Sequence, residues 1–163
     1  MNLDATTIAT PVGDLTLIAR DGVVVAAGFA SVETMALRVG DRPVRTKRDL
    51  GQLSKSVKRY VAGEVTALDD LAVEQPGSGF FQLAWKVMRE VPAGETINYS
   101  ELAERAGQPR AVRAAGSACA RNLIAPIVPC HRILRTGGAL GGYYYGLDRK
   151  RWLLEHERRH ATA

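Results

Sequence analysis

A Pro- and Gly-rich segment, Gln75–Gly79, limits the possible folds of this chain more than any other feature, because the hydrophobic pattern changes its period there. Residues 1–30 form short apolar and β-branched runs separated by turn signals such as Asp21-Gly22, a pattern typical of antiparallel strands. After the segment, apolar residues recur at the three- and four-residue spacing of helices. Because Pro and Gly interrupt regular structure, the segment predicts a linker between two domains.

We therefore expect an α/β fold of the α+β kind, with a structural N-terminal domain at residues 1–75 and a mainly helical C-terminal domain at residues 76–163. The first would hold helices and an antiparallel three-stranded sheet, whose predicted strands are Thr6–Thr10, Leu15–Ala19 and Val23–Phe29. The predicted helices cover residues 31–39, 49–62, 80–91, 100–106, 110–122 and 148–159. Ser100 and Asp148 are predicted N-caps, and residues 64–73 are predicted to be extended.

The composition excludes several classes of protein. With 163 residues, 46% of them hydrophobic and 24% charged, the chain has the make-up of a soluble globular protein. It contains no run of about 18 apolar residues that could span a membrane, and its first residues lack the pattern of a signal peptide. Cys119 and Cys130 are too few for a disulfide framework, so we expect a reduced, cytoplasmic protein.

The net charge of +5 is concentrated in the second half of the chain. Residues 1–99 carry 11 Lys/Arg and 12 Asp/Glu, a net charge of −1, whereas residues 100–163 carry 11 and 5, a net charge of +6. A basic half indicates a surface for a polyanion, and nucleic acid is the leading candidate. A solvated basic face without a partner is the alternative.

Two short predicted helices lie within this basic half. Residues 100–106 and 110–122 are joined by a breaker, Gly107-Gln108-Pro109, and the second helix is rich in Ala and Gly and carries Arg. The pattern favours a helix-turn-helix, in which the second helix contacts DNA. A helical hairpin that binds nothing has the same pattern.

The tetrapeptide Pro129-Cys130-His131-Arg132 carries the strongest chemical signal. It lies between an apolar run at residues 124–128 and a Gly-rich stretch at residues 136–142, which indicates a buried position. The thiolate is the reactive form of cysteine, and a neighbouring imidazole or guanidinium raises its population above the few per cent expected from a pKa near ~8.5. The pattern predicts a buried nucleophile, with a small buried cysteine beside a chance histidine as the alternative.

Five blocks of the C-terminal half resemble the O6-alkylguanine-DNA alkyltransferases, also called methylated-DNA–protein-cysteine methyltransferases. In chain order the blocks are Thr96–Ala103, Arg113–Asn122, Ile127–Ile133, Gly141–Tyr143 and Leu153–Glu157. Their order and spacing make the resemblance specific. Residues 1–75 match the family in outline, as a small α/β domain.

The resemblance implies a role for each matching residue of the reaction centre. Cys130 would be the nucleophile and alkyl acceptor, and His131 would be the base that draws its proton through a water. Glu157 would orient His131, as the third member of a triad does. Asn122 would brace the active-site turn by hydrogen bonding.

Further matching residues would contact the DNA or the damaged base. Arg113 would be the finger that fills the stack vacated by a flipped base, since its planar guanidinium stacks and stays charged. Tyr99 would assist flipping or donate a proton to the guanine, and Lys150 would lie near the guanine pocket. The other implied DNA-binding residues are Ala114, Gly116, Ser117 and Arg121, and the implied pocket residues are Ile133, Tyr143, Tyr144 and Tyr145.

The implied function is direct-reversal DNA repair. The alkyl group of O6-alkylguanine, and of O4-alkylthymine, would pass irreversibly to Cys130 in one turnover, with base flipping. The expected partner is alkylated double-stranded DNA, bound by a monomer able to cluster along it, without a membrane and without a cofactor. Some relatives carry zinc in the N-terminal domain, but residues 1–75 contain neither Cys nor His, so no metal is expected.

The sequence departs from the family pattern at two places, and three rival functions stand beside the implied one. Tyr144-Tyr145 replaces the small residues that the family often has, which leaves the range of alkyl groups open, and Leu123 stands where Pro is frequent. The rivals are a protein that flags alkylguanine without repairing it, a Cys–His hydrolase and a helix-turn-helix regulator. Flagging proteins lack the acceptor cysteine, no oxyanion motif is recognisable, and a regulator would not need Cys130 beside His131.

Overall fold

The computed structural model describes residues 2–40 and 43–161, which divide into two units. Unit 1 comprises the residues up to Gln75 together with Leu123–Ile127, and unit 2 comprises Pro76–Asn122 and the residues from Val128 onward. The sequence assigns Leu123–Ile127 to the C-terminal domain, whereas this segment packs in unit 1. There, Ala27 N donates to Leu123 O at 2.8 Å and Ala125 N donates to Ala27 O at 3.0 Å. The segment's apolar side chains are thereby buried beside a strand, which explains the difference.

Unit 1 is built on a sheet of strand order β3-β2-β1-β4. Its strands are β1 (Leu3–Ile8), β2 (Leu15–Arg20), β3 (Val23–Gly28) and β4 (Val44–Thr46), and its helices are α1 (Val32–Val39) and α2 (Gln52–Val61). The first three strands are antiparallel as predicted, although β1 begins at Leu3 rather than at Thr6. The predicted sheet lacks β4, a three-residue edge strand that pairs in parallel with β1. Its side chains are half-buried or exposed, so they give no alternating apolar pattern.

Residues 64–73 are predicted to be extended, but they form turns. Successive short-range backbone bonds, such as Ala67 N to Glu64 O at 3.0 Å, close these turns. Val73 pairs with Val24 as an isolated bridge. The apolar side chains of this segment are buried, although its backbone forms no ladder of strand pairs. Hydrophobic periodicity does not distinguish such a buried segment from a strand.

Unit 2 is mainly helical. Its elements are α3 (Gly79–Glu90), β5 (Ile97–Asn98), α4 (Tyr99–Arg105), α5 (Val112–Ala120), a 3₁₀ turn (Cys130–Arg132), β6 (Ile133–Leu134) and α6 (Leu147–His160). Helices α3, α4 and α5 pack on one another, and α3 and α6 both contact the 3₁₀ turn. Strands β5 and β6 pair in parallel, with Ile97 opposite Ile133, and this pairing fixes the chain directly after the turn.

Both predicted N-caps, Ser100 and Asp148, are wrong. Asn98, not Ser100, caps α4, because its side chain accepts a hydrogen bond from Glu101 N at 2.8 Å. Helix α6 begins at Leu147 after Gly146, so Asp148 lies in the first turn, where a carboxylate suits the helix dipole. Among the described residues, no helix has the length and hydropathy to cross a membrane.

Candidate active site

Cys130 begins the 3₁₀ turn, and its side chain is 7% exposed. A hydrogen bond from Asn122 Nδ2 to Val128 O, 2.8 Å long, connects the end of the α5 segment to the approach to this turn. Asn122 is buried, so the bond is shielded from competing water. It holds together the two points at which the chain leaves and re-enters unit 2.

His131, which follows Cys130 in the chain, forms a buried pair with Glu157 of α6. His131 Nε2 lies 2.8 Å from Glu157 Oε2, and both side chains are almost completely buried. Burial alone would raise the pKa of Glu157, but His131 and Arg132 hold it well below its usual range, so the carboxylate is ionised. The imidazole therefore carries its proton on Nε2, and Nδ1 has a free lone pair without a partner among the described residues.

The protonation state of His131 suits a general base. Burial lowers the pKa of its imidazole, and Glu157 offsets part of this effect. The ring is therefore neutral at pH 7, with Nδ1 able to accept a proton.

Arg132 is a functional residue that the sequence argument missed. Its Nε donates to Glu157 Oε1 at 2.8 Å and its Nη2 to Glu157 Oε2 at 3.0 Å, while its Nη1 donates to Val91 O at 2.6 Å. Arg132 is buried and paired in a fork, the geometry for which a guanidinium is suited. Its position in the tetrapeptide Pro129–Arg132 could have indicated a role in the site. A sequence does not show, however, which carboxylate a guanidinium binds.

Lys150 is a buried cation held by backbone carbonyls. Its Nζ donates to Ile133 O at 2.9 Å, to Gly142 O at 3.2 Å and to Leu140 O. Burial lowers the pKa of Lys150, and the negative charge of a Cys130 thiolate would raise it. By reciprocity, the lysine charge stabilises that thiolate.

Cys130 lines a cavity of about 230 Å³ in unit 2. The other lining residues are Tyr99, Gly116, Cys119, Ala120, Gly142, Tyr143 and Tyr144. This volume lies below the ~300–1,000 Å³ of sites for drug-sized ligands, so the cavity suits a small reacting group. A larger cavity, of about 580 Å³, lies in unit 1 and is lined by neither cysteine nor histidine.

Two of the four predicted pocket residues, Tyr143 and Tyr144, line the cavity that contains Cys130. Ile133 is instead buried in β6, opposite Ile97. Tyr145 is buried, with its ring centroid 5.9 Å from that of Tyr143 and 4.8 Å from that of Tyr144. These two residues support the cavity wall rather than form it.

Cys119 also lies in the lining of the Cys130 cavity. Burial, followed by the negative charge of Cys130, raises the pKa of the Cys119 thiol far above its usual value. Cys119 therefore stays protonated and is a poor nucleophile.

Tyr99 is the first residue of α4 and is half-buried. Burial, with contributions from Cys119 and Cys130, raises the pKa of its hydroxyl, which therefore keeps its proton. The hydroxyl lies close to the backbone of Gly141, since a β-carbon there would be 2.9 Å from it. Gly141 thus makes room for Tyr99 at the cavity.

Helix α5 presents small and basic residues to solvent. Arg113 and Ser117 are exposed, Ala114 and Gly116 are half-buried, and Arg121 follows the helix as an exposed residue. Ala115 and Ala118 are buried on the opposite side. Because Gly116 also lines the cavity, this solvent-facing side of α5 leads to Cys130.

The described residues contain no group of three or more His, Cys, Asp or Glu side chains arranged to hold a metal ion.

Comparisons with known proteins find relatives of the chain. Residues 79–159 match the model of the 6-O-methylguanine DNA methyltransferase DNA-binding domain. A methylated-DNA–protein-cysteine methyltransferase of Mycolicibacterium paratuberculosis is 39% identical over 157 residues, which cover 96% of this chain and 93% of that protein. The protein of the same name from Mycobacterium tuberculosis is 41% identical over 165 residues, with the same two coverages.

A solved structure extends the comparison to the whole fold. The Mycobacterium tuberculosis OGT in complex with DNA superposes with a TM-score of 0.85 at 35% identity, covering 98% of this chain and 96% of that one. Relatives this similar over nearly the full length establish that the chain belongs to the family of methylated-DNA–protein-cysteine methyltransferases, enzymes that repair DNA by alkyl transfer.

Proposed function

We propose that this enzyme transfers the alkyl group of O6-alkylguanine, and of O4-alkylthymine, from duplex DNA to Cys130 in a single, irreversible turnover. The observation that carries the proposal is the arrangement of Glu157 and His131 next to Cys130. An ionised carboxylate fixes a neutral imidazole through Nε2, which leaves Nδ1, an atom without a partner among the described residues, to accept the thiol proton.

The first step removes the proton of the thiol. Because Glu157 accepts from Nε2, the nitrogen that takes the proton of Cys130 is Nδ1, through a bridging water. Glu157 then stabilises the imidazolium that forms. The fixed positive charge of Lys150 lowers the energy of the thiolate.

The second step moves the alkyl group. The thiolate attacks the alkyl carbon on the side opposite O6, so that the S–C bond forms while the C–O bond breaks. The electron pair of the C–O bond passes to the guanine, which takes up one proton. Tyr99 donates a hydrogen bond to the guanine as it leaves, and the imidazolium of His131 gives up the proton it took from the thiol, so the net change is a proton moved from Cys130 to guanine.

The product explains why the protein would react once. A thioether is a stable end point, and displacement of its sulfur would need a strong nucleophile at the same carbon. Cys119, the second thiol of the cavity, stays protonated because of its raised pKa. The alkylated protein would therefore be spent.

A stacked base cannot reach a thiol that is buried in a cavity, so the base must leave the duplex. We assign the contact with DNA to the α4–α5 pair, acting as a helix-turn-helix with the solvent-facing side of α5 against the duplex. Exposed Arg113 would fill the vacated position, and Arg121 and Ser117 would contact the backbone. Half-buried Ala114 and Gly116 allow close approach.

The molecular context follows from the composition. Two cysteines, one of them the acceptor, require a reducing compartment, so we assign the protein to the cytoplasm. One chain carries every residue of the proposed reaction centre, so a monomer would suffice for the reaction. Clustering of several protein molecules along DNA would be a separate property.

An intact-mass measurement tests this function. After incubation with a duplex containing O6-methylguanine, the protein should gain about 14 Da, the mass of one CH₂, on its acceptor. Trypsin separates the two thiols, since peptide 122–132 contains Cys130 and peptide 114–121 contains Cys119. The gain should lie on peptide 122–132.

Two variants serve as controls. Cys119→Ser should take up the methyl group, whereas Cys130→Ser should bind the lesion and remain unmodified. A wild-type protein that binds the lesion without gaining mass would overturn the repair function and favour a flagging protein.

A further inference from the structure

Two buried side-chain polar atoms in the described residues lack a hydrogen-bond partner, His131 Nδ1 and Tyr143 Oη. The first is the proton acceptor of the proposed reaction. The second has no role in that reaction. A buried hydroxyl without a partner lowers stability, so its presence in an active site points to a partner that arises during the reaction.

Tyr143 is placed to act on the reacting sulfur. It lines the same cavity as Cys130, and its ring packs edge-on against Tyr145. Burial, and after it the negative charge of Cys130, raises the pKa of Tyr143 well above its usual value. The hydroxyl therefore remains protonated and is a hydrogen-bond donor throughout the reaction.

Lys150, His131 and Tyr99 already have other roles in the proposed reaction. The three N–H bonds of Lys150 point to three carbonyl oxygens, so the lysine supplies charge but no hydrogen bond to sulfur. His131 is the acceptor of the thiol proton, and Tyr99 is assigned to the guanine. Among the described residues, the titratable and charged groups that act on Tyr143 or Cys130 include Tyr99 of α4, Cys119 of α5, Tyr145, and Arg149, Lys150 and Glu157 of α6.

We propose that Tyr143 is a further catalytic residue, whose hydroxyl donates a hydrogen bond to the sulfur of Cys130 when the thiolate forms. This inference rests on the proposed transfer to Cys130 and adds a donor to it. The thiol proton goes to His131, while the proton of Tyr143 stays on its own oxygen. The hydrogen bond forms with the anionic sulfur and weakens when the sulfur becomes a neutral thioether.

The variant Tyr143→Phe removes the hydroxyl and keeps the ring. We expect the midpoint for ionisation of Cys130 to rise by about one pH unit, the effect of losing one charge-assisted hydrogen bond. The midpoint is measured from the pH dependence of the reaction with iodoacetamide, followed on peptide 122–132. This probe contains no guanine, so it reports on the thiolate alone.

The rates at which wild type and Tyr143→Phe react with iodoacetamide should cross as the pH rises. A thiolate without its donor is less populated but more nucleophilic, and the nucleophilicity changes with a Brønsted coefficient of about 0.4–0.5. Below both midpoints Tyr143→Phe should react about threefold more slowly than wild type, and above both about threefold faster. A hydroxyl with a merely structural role would not produce this crossing.

Stability gives a second readout. Because the removed hydroxyl has no partner in the resting protein, the melting temperature of Tyr143→Phe should equal or exceed that of wild type. Tyr60→Phe is the control, since it removes a buried tyrosine hydroxyl from unit 1 and should leave the midpoint of Cys130 unchanged.

The outcomes separate this proposal from the proposed function. An unchanged ionisation midpoint of Cys130 in Tyr143→Phe would overturn the donor role. If methyl transfer were nevertheless slower in this variant, the hydroxyl would act on the guanine instead of on the sulfur. A shifted midpoint establishes the donor. A wild-type protein that reacts with iodoacetamide but takes up no methyl group would overturn the alkyl transfer instead.

Discussion

At the scale of single residues, one carboxylate, that of Glu157, accepts hydrogen bonds from two basic side chains. Glu157 accepts from His131 and, through both oxygens, from Arg132. Because Arg132 is always charged, it keeps Glu157 ionised while His131 is still neutral. The imidazole is therefore oriented before the thiol proton moves.

Replacement of Glu157 by Gln should slow methyl transfer about 100-fold, because the amide neither fixes the imidazole tautomer nor stabilises the imidazolium. The measurement is the single-turnover rate with a duplex containing O6-methylguanine. Glu155→Gln is the matched control on the same helix, where the side chain is exposed and paired with Arg158. Equal rates in the two variants would remove Glu157 from the reaction.

The same pair predicts how stability depends on pH. Glu157 and His131 both have lowered pKa values in the folded protein, so the unfolded chain takes up their protons first as the pH falls. The stabilisation is complete above the ordinary pKa of 6.5 for His131 and is lost below it, and a further loss begins below 4.5 for Glu157. We expect the melting temperature to fall as the pH decreases through this range. Below pH 4.5 the fall should be less steep in Glu157→Gln, which lacks the carboxylate, and an identical slope of the two proteins there would contradict this.

A glycine beside the Tyr99 hydroxyl, Gly141, gives a test of Tyr99. Gly141 has a φ of +70°, and a β-carbon there would lie 2.9 Å from the Tyr99 hydroxyl, so Gly141→Ala should displace that hydroxyl and slow methyl transfer about tenfold or more. Gly138→Ala is the matched control, because its φ of +92° imposes similar backbone strain while its β-carbon would meet nothing within 4 Å. Similar losses in both variants would mean that loop strain, not Tyr99, determines the rate.

At the scale of elements, α3 supports the helix that carries the cavity wall. Trp85 is buried in α3, and its Nε1 donates to Ala118 O in α5 at 2.9 Å. This bond fixes the C-terminal part of α5 just before Cys119 and Asn122. The positions of the cavity wall and of the brace to Val128 thus depend on an indole on another helix.

Trp85→Phe should lower the free energy of unfolding by about 1–3 kcal/mol, because it removes the donor to a buried carbonyl and reduces packing. Urea titration of the folded protein measures this quantity. Trp152→Phe is the comparison, since Trp152 is half-buried and stacks on His156, and it should cost less. A larger loss in Trp152→Phe would contradict the supporting role of Trp85.

Helix α5 also carries the test of base flipping. Arg113 is exposed on α5, so Arg113→Ala should reduce repair in duplex DNA by at least tenfold while changing the reaction with free O6-methylguanine less than twofold. The two rates are measured on the same preparation. An equal loss of rate on duplex DNA and on the free base would contradict the role of Arg113 as the residue that fills the vacated stack.

At the scale of the whole molecule, the sequence predicted the helices and the buried position of Cys130 and His131 better than it predicted the strands and the supporting contacts. Cys130 and His131 stand together in the chain, and the resemblance supplied Glu157. Arg132 was missed because its role depends on where its guanidinium points. Edge strand β4 was missed because three half-buried or exposed residues carry no pattern.

The division into units shows a second limit of sequence reasoning. A composition change marks the boundary after Gln75, but Leu123–Ile127 returns to unit 1 far from that boundary in sequence. Its backbone pairing with β3 is a long-range contact that no local signal reports. The cap of α4 was misassigned for a related reason, since the pairing of β5 with β6 ends at Asn98 and leaves that residue extended at the helix start.

The number of methyl groups that one protein molecule accepts distinguishes a spent acceptor from a catalyst with turnover. The protein is incubated with a tenfold excess of duplex containing O6-methylguanine until repair stops, and the repaired guanine is counted per protein. We expect a plateau at one equivalent, with the methyl group entirely on the peptide that contains Cys130. Repair that continues beyond one equivalent, or methyl groups on any other peptide, would contradict irreversible transfer to Cys130.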